Sequence, residues 1–204
     1  MFENVFKNMR KPTDSWVGRL LLQGMNWGHN RASLWGLSTV NFGTPVNLLD
    51  IGCGGGRNLS NLHKHYPTAK IYGIDYSCTS VCQSIRYNRH AVECGFVQVQ
   101  EADAREIPFP RATFDGITAF ETVYFWPEIE RCFAGIVHVL KPGGKFMICN
   151  EVNTRKGYEY WVDLLDMAIY SGQELKAMME RAGLTEVKVA EHPNGKWVAV
   201  NGTK

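Results

Sequence analysis

The densest chemical signal in this chain is the run Asp50-Ile51-Gly52-Cys53-Gly54-Gly55-Gly56, which reads D-x-G-x-G-x-G at the end of an apolar stretch. Gly52, Gly54 and Gly56 supply backbone angles closed to other residues and clear side chains from a surface where a ligand can lie against the main chain. Where such a loop opens a helix, the first N–H groups lack helical partners and the positive end of the helix dipole faces the ligand. The spacing narrows the ligand. A dinucleotide fingerprint needs G-x-G-x-x-G, and the sixth position counted from Gly52 is Arg57.

An aspartate beside the loop, Asp50, repels a pyrophosphate but suits an ammonium or a sulfonium group. S-adenosylmethionine carries both, and is the expected cofactor, with S-adenosylhomocysteine as its product. Two more acids agree with it. Asp75 follows the loop by about twenty residues, where a carboxylate accepts hydrogen bonds from ribose hydroxyls. Asp103, in "QEADAREIPF", stands where a carboxylate can receive an adenine amino group. Cys53, inside the loop, reads as a small filler.

These acids and glycines need strands to carry them. "VNLLDI", "KIYGID", "GFVQVQ", "FDGITAF" and "GKFMICN" read as strands. Helical stretches separate them: "RNLSNLHKHY", "SCTSVCQSIRYNRHAVEC" and "PEIERCFAGIVHVL". Alternation of this kind implies right-handed crossovers and a parallel sheet covered on both faces. In such a doubly wound sheet, ligands bind outside the carboxyl ends of the strands. The C-terminal region departs from that rhythm. After the helix "SGQELKAMMERAG", the strands "TEVKVAEH" and "GKWVAVNG" join through Pro193-Asn194-Gly195, and a tight Asn-Gly turn makes them antiparallel.

Residues 1–45 follow a different pattern and are expected to form an N-terminal helical segment, with residues 46–204 as the α/β domain. Phe2, Val5, Phe6 and Met9 keep helical spacing until Lys11-Pro12. Asp14 is expected to cap a second helix with Trp16, Val17, Leu20, Leu21 and Met25 on one face, and "NRASLWGL" suggests a third. The polar faces are not Lys-rich, so this segment is expected to dock on the protein's own body rather than on a membrane.

The 204 residues, 45% of them hydrophobic, fit one domain that needs no disulfide or metal to hold its core. A formal charge of +2 gives no ground for nucleic-acid binding. The six cysteines form no C-x-x-C pair and read as reduced thiols of a cytoplasmic protein. No signal peptide or membrane insertion is indicated.

On "LLDIGCGGG", "IYGIDYS", "EADAREIPFPRATFDGITAF" and "VLKPGGKFMI", the chain from about Val46 to Gly202 resembles the class I SAM-dependent methyltransferases. Within them it is similar to the small-molecule methyltransferase type 11 group. The resemblance implies a Rossmann-like doubly wound seven-stranded sheet of order 3-2-1-4-5-7-6 with strand 7 antiparallel, and the first 45 residues as a lid. It implies that Asp50, Gly52, Gly54 and Gly56 form the cofactor loop, with Asp75 on the ribose. Tyr76 would flank the adenine, Asp103 and Ala104 would lie at its edge, and Phe120 beside the methionine portion. The implied partner is a small-molecule acceptor, and the implied assembly a monomer or homodimer.

Methyl transfer from a sulfonium is an in-line displacement, so alignment of the two reactants is the main demand. "FETVYFW" should face the transferred methyl, bringing Phe120, Tyr124, Phe125 and Trp126 as aromatic surface and Glu121 as a carboxylate. Glu121 is the first candidate for a base or an acceptor-positioning group. His29 in "MNWGHN" is a second, titrating near neutral pH. Trp27 and Trp35 stand near enough in sequence to roof the pocket. No pair of acids at Mg²⁺ spacing follows the fourth strand, so no metal is expected.

Overall fold

α1 (Asn30–Ser38) leads into β1 (Asn47–Ile51), whose last four residues are buried. The computed structural model describes Gly24 and residues 28–204. The helices expected around Phe2–Met9 and Trp16–Met25, the Asp14 cap and Trp27 lie outside the described residues.

Strand and helix then alternate: α2 (Arg57–His65), β2 (Lys70–Asp75), α3 (Cys78–Tyr87), α4 (Arg89–Glu93), β3 (Val97–Glu101), β4 (Phe114–Phe120), a single 3₁₀ turn (Val123–Phe125), α5 (Ile129–Val139) and β5 (Leu140–Asn150). Two short helices, α6 (Glu159–Leu165) and α7 (Gly172–Arg181), precede β6 (Thr185–Glu191) and β7 (Val198–Thr203). The sheet order is β3-β2-β1-β4-β5-β7-β6. The pairs β1–β2, β1–β4, β2–β3 and β4–β5 are parallel, and β7 runs antiparallel to both β5 and β6. This is the doubly wound sheet that the sequence implied.

Each face of the sheet has its own core. On one, Phe133 and Ile136 of α5 and Leu175 and Met179 of α7 pack on Leu49, Ile117 and Phe146. On the other, Leu37 of α1 and Leu59 and Leu62 of α2 pack on Leu48, Ile71 and Met147. α1 lies so close to β5 that a Cβ on Gly36 would stand 2.6 Å from the Cys149 sulfur. That sulfur also donates to the Ala32 carbonyl, and Asn201 of β7 donates to the Thr39 carbonyl. The described end of the N-terminal segment is therefore docked on the sheet.

Three elements differ from the sequence expectation. The helix expected through Cys94 breaks at Asn88, whose amide turns inward to donate to the Gly56 and Ser84 carbonyls at 2.8 and 3.0 Å. Within residues 151–170, α6 forms where no helix was expected. The hairpin is antiparallel, but β7 starts at Val198 rather than directly after Gly195. Asn194 Oδ1 accepts from Lys196 N and Trp197 N, which consumes the residues between.

α7 begins with a full capping box, in which Ser171 accepts from Glu174 N and Glu174 accepts from Ser171 N. Ser171→Ala is expected to cost about 1 kcal/mol, read as a lower urea midpoint at unchanged slope.

Candidate active site

The C-terminal ends of β1, β2 and β4 and the start of α2 enclose a cavity of about 300 Å³. The glycine loop forms its floor. Gly52 and Cys53 donate to the Ile74 carbonyl of β2 at 2.8 and 3.0 Å, which pins the loop to the neighbouring strand. Gly54 N donates to Asp75 Oδ2 at 2.9 Å, and Ser77 N to Asp75 Oδ1 at 2.9 Å. Burial, only partly offset by those N–H donors, raises the Asp75 pKa.

All three glycines at the spaced positions have positive φ, of 76°, 52° and 85°. They nevertheless do different work. A Cβ on Gly52 would fall 2.2 Å from Thr122 Oγ1, and one on Gly56 2.5 Å from Ser84 Oγ and 2.8 Å from Ser84 Cα. Those two clear space for the protein's own atoms. A Cβ on Gly54 would meet nothing closer than the Gly52 carbonyl at 4.0 Å, so this glycine presents bare main chain to the cavity.

Of the residues singled out in the sequence, Gly52, Cys53, Gly54, Asp75, Tyr76, Asp103, Ala104, Phe120, Glu121 and His29 all line the cavity. Asp50, Gly56 and Tyr124 lie outside its wall. Asp50 is buried in the sheet, where Thr118 donates to Oδ1 at 2.7 Å and Oδ2 has no partner among the described residues. Burial pushes its carboxyl up to about 7, so near neutral pH it carries only part of a charge. Gly56 opens α2 beneath the loop. Tyr124 is buried, accepting from Val152 N at 3.0 Å and reaching Glu121 Oε2 at 3.4 Å, and so braces the acid from behind. Trp126 and Phe125 do line the cavity. Trp35 does not; it packs on His192 and Trp197 at ring distances of 5.1 and 6.2 Å.

Asp103 is held by Arg105, whose Nε and Nη2 donate at 3.0 and 2.8 Å. Those charge-assisted bonds keep its pKa below the ordinary value. Arg57 Nε and Asn61 Nδ2 both donate to Asn30 Oδ1 at 3.0 Å and so join α1 to α2 at the cavity rim.

At the other end of the cavity, Glu121 follows β4 with φ 56°, a left-handed conformation that costs a non-glycine residue about 1 kcal/mol. The turn brings its carboxylate to the N–H of Glu151, the first residue past β5. Glu151 Oε2 lies 3.0 Å from His29 Nδ1. His29, Glu121 and Glu151 thus bring their polar atoms within 4.8 Å of one another. The two acids come from the ends of two adjacent strands, a pairing that spacing along the sequence cannot reveal. Hydrogen bonds already link the three, a span that a divalent cation would also accept. Glu151 itself escaped the sequence reading, although it carries the signal that found the others, an acid directly after a strand.

Burial pushes the Glu121 carboxyl up to about 8; the Glu151 charge adds to this, while His29 and the Glu151 N–H oppose it. Burial alone would lower the His29 pKa. The Glu151 hydrogen bond and the charges of Glu121 and Glu151 outweigh it, and the ring pKa rises above 6.5.

Residues 49–148 match the family described as "Methyltransferase domain". An O-methyltransferase of Penicillium expansum is 27% identical over 150 residues, covering 71% of this chain and 54% of that protein. A fatty-acid O-methyltransferase of Mycolicibacterium smegmatis is 31% identical over 102 residues, covering 49% of this chain and 35% of that protein. The chain thus spans about half the length, or less, of the curated relatives it matches. A SAM-dependent methyltransferase from Aquifex aeolicus has the same fold, with a TM-score of 0.74 at 21% identity over 91% of this chain and 97% of that one.

Proposed function

Since the chain belongs to the class I SAM-dependent methyltransferases, we propose that it transfers a methyl group from S-adenosylmethionine to a small-molecule acceptor. One observation carries the reading: bare main chain at Gly54, the Asp75 carboxylate and the Glu121–His29 pair all face a single cavity at the strands' carboxyl ends. When bound, S-adenosylmethionine supplies a methyl group already activated by its sulfonium. Gly52, Cys53 and Gly54 would hold its methionine portion, with Phe120 alongside. Asp75 would accept from the ribose hydroxyls. Tyr76, Asp103 and Ala104 would border the adenine, Arg105 fixing the direction of Asp103. Asp50 and Gly56 support the loop from below.

Glu121 and His29 then face the acceptor, with Tyr124 bracing Glu121. Phe125 and Trp126 offer a wall on which a flat acceptor can stack. Catalysis rests mainly on alignment of the two reactants. Residues 1–45 serve as the lid, α1 being its docked end. The enzyme acts as a monomer or homodimer, without nucleic acid, and the six free thiols suit a reducing cytoplasm. Among the described residues no helix is long and apolar enough to cross a membrane.

Incubation with methyl-labelled S-adenosylmethionine and a fractionated metabolite extract tests the reading. Label should move to a small-molecule fraction. Retention of the cofactor with no label transferred would reduce the protein to a binding module, and calorimetry showing no affinity for S-adenosylhomocysteine would overturn the proposal. Asp75→Ala is expected to weaken S-adenosylhomocysteine binding by about 1–3 kcal/mol, the cost of losing hydrogen bonds to a charged group. Unchanged affinity would remove Asp75 from the site.

A further inference from the structure

His29 and Glu151 stand 122 positions apart in the chain, yet lie 3.0 Å apart from Nδ1 to Oε2 beside the cavity's acceptor end. Glu151 is only 24% exposed and His29 33%, so neither is a freely solvated surface group. An imidazole has two nitrogens. In the neutral ring one carries hydrogen and the other a lone pair, and the partner of one settles the state of the other. A carboxylate can only accept, so Glu151 places the hydrogen on Nδ1. The lone pair is thereby left on Nε2. That nitrogen has no protein partner among the described residues, and its ring lines the cavity.

We propose that Glu151 is a positioning residue that fixes His29 in the Nδ1–H tautomer, making Nε2 the base that takes a proton from the methyl acceptor. The inference rests on the methyltransferase reading above and narrows its substrate class to acceptors bearing a removable proton, on a hydroxyl or a nitrogen. The acceptor's proton passes to Nε2, and the lone pair so freed forms the new bond to the methyl carbon. The carbon–sulfur bond breaks with its electron pair staying on sulfur. The positive charge of the sulfonium ends on the imidazolium, and Glu151 stabilises it there through the Nδ1 hydrogen bond.

Other groups around the ring fit that assignment. Glu121 lies within reach as the second acid, and Tyr124 and Cys149 lie behind the two carboxyl groups. Burial holds Tyr124 and Cys149 in their neutral forms at ordinary pH. Glu121 keeps its proton up to about pH 8 and is the poorer base near neutrality. The link has a second consequence. His29 leads into α1 while Glu151 follows β5, so the base takes its place only when the end of the lid segment is docked on the sheet.

Histidine-labelled protein in two-bond nitrogen–proton spectra tests this without any acceptor. His29 of the wild type should titrate above 6.5 and show the Nδ1–H tautomer once neutral. In Glu151→Ala it should revert toward the Nε2–H tautomer that free imidazoles favour. Glu151→Gln preserves the shape and removes the charge, so it should lower the His29 pKa even if the alanine variant folds poorly. S-adenosylhomocysteine affinity, read by calorimetry, should stay within about twofold in both, which separates failure here from failure of the methyltransferase reading. For any acceptor found, Glu151→Gln should lower kcat by about 10²-fold with little change in KM. A wild-type Nε2–H tautomer, or a His29 pKa indifferent to both substitutions, overturns the proposal. So does stoichiometric Zn²⁺ displacing the Nδ1 resonance, because the three residues would then form a cation site.

Discussion

Glu121→Gln is expected to make the protein more stable above pH 8 while slowing methyl transfer. The carboxyl is pushed up to about 8 from the usual 4.5, chiefly by burial. A group whose folded pKa lies above its unfolded value binds its proton more tightly in the folded state. Below about pH 4.5 both states hold the proton, and the stabilisation is fully present. Between 4.5 and about 8 the unfolded chain has released the proton and the folded one has not, so stability falls as pH rises and then levels off. At about 1.4 kcal/mol per pH unit, the loss is on the order of a few kcal/mol. Glutamine can still accept from Glu151 N but never ionises, so its advantage should grow from pH 5.5 to pH 8.5. Urea unfolding of both proteins at the two pH values measures this; parallel pH slopes would sink the argument. In the same variant kcat should fall, by up to about 10²-fold, with S-adenosylhomocysteine affinity retained. Here stability at high pH yields to function, as is common where a site buries a titratable group.

Gly56→Ala should be the most damaging single methyl in the loop. Its φ of 85° costs an alanine about 1–2 kcal/mol. The added Cβ would also stand 2.8 Å from the Ser84 Cα, a backbone atom that cannot rotate away, and 2.6 Å from Asn88 Nδ2. Overpacking of that kind adds about 1–3 kcal/mol. A total near 3 kcal/mol is a large share of a domain's net stability and should appear as a marked drop in the urea midpoint. Gly54→Ala gives the opposite profile. It suffers the same backbone penalty but meets no atom within 4 Å except the Gly52 carbonyl, and its methyl would enter the cavity. Its loss should show mainly in S-adenosylhomocysteine affinity. If both substitutions affect stability and affinity alike, the division of labour between the two glycines is wrong.

Much of this was written locally. Alternating strand and helix patterns, the D-x-G-x-G-x-G run and the Pro-Asn-Gly hairpin are short-range signals, and they determined the parallel sheet, its reversed last strand and the end of the sheet where the cavity opens. The same signals put Gly54, Asp75, Asp103 and Glu121 on one rim. They could not tell Gly54, which faces the cavity, from Gly56, which faces Ser84, because both glycines satisfy the same backbone requirement.

What tertiary structure alone decided depends on neighbours distant in sequence. Asp50 reads as a charge beside a ligand, yet burial beside Thr118 makes it a half-neutral strut. Asn88 reads as the middle of a helix, yet its amide serves the Gly56 carbonyl. Above all, His29, Glu121 and Glu151 come from a helix start and two strand ends, and meet only when α1 docks on β5 and β4 pairs with β5. Periodicity fixes which face a residue takes. Which distant residue it meets across that face, and how much water is left between them, is settled only by packing, and from that packing come the acidities on which the chemistry of this site turns.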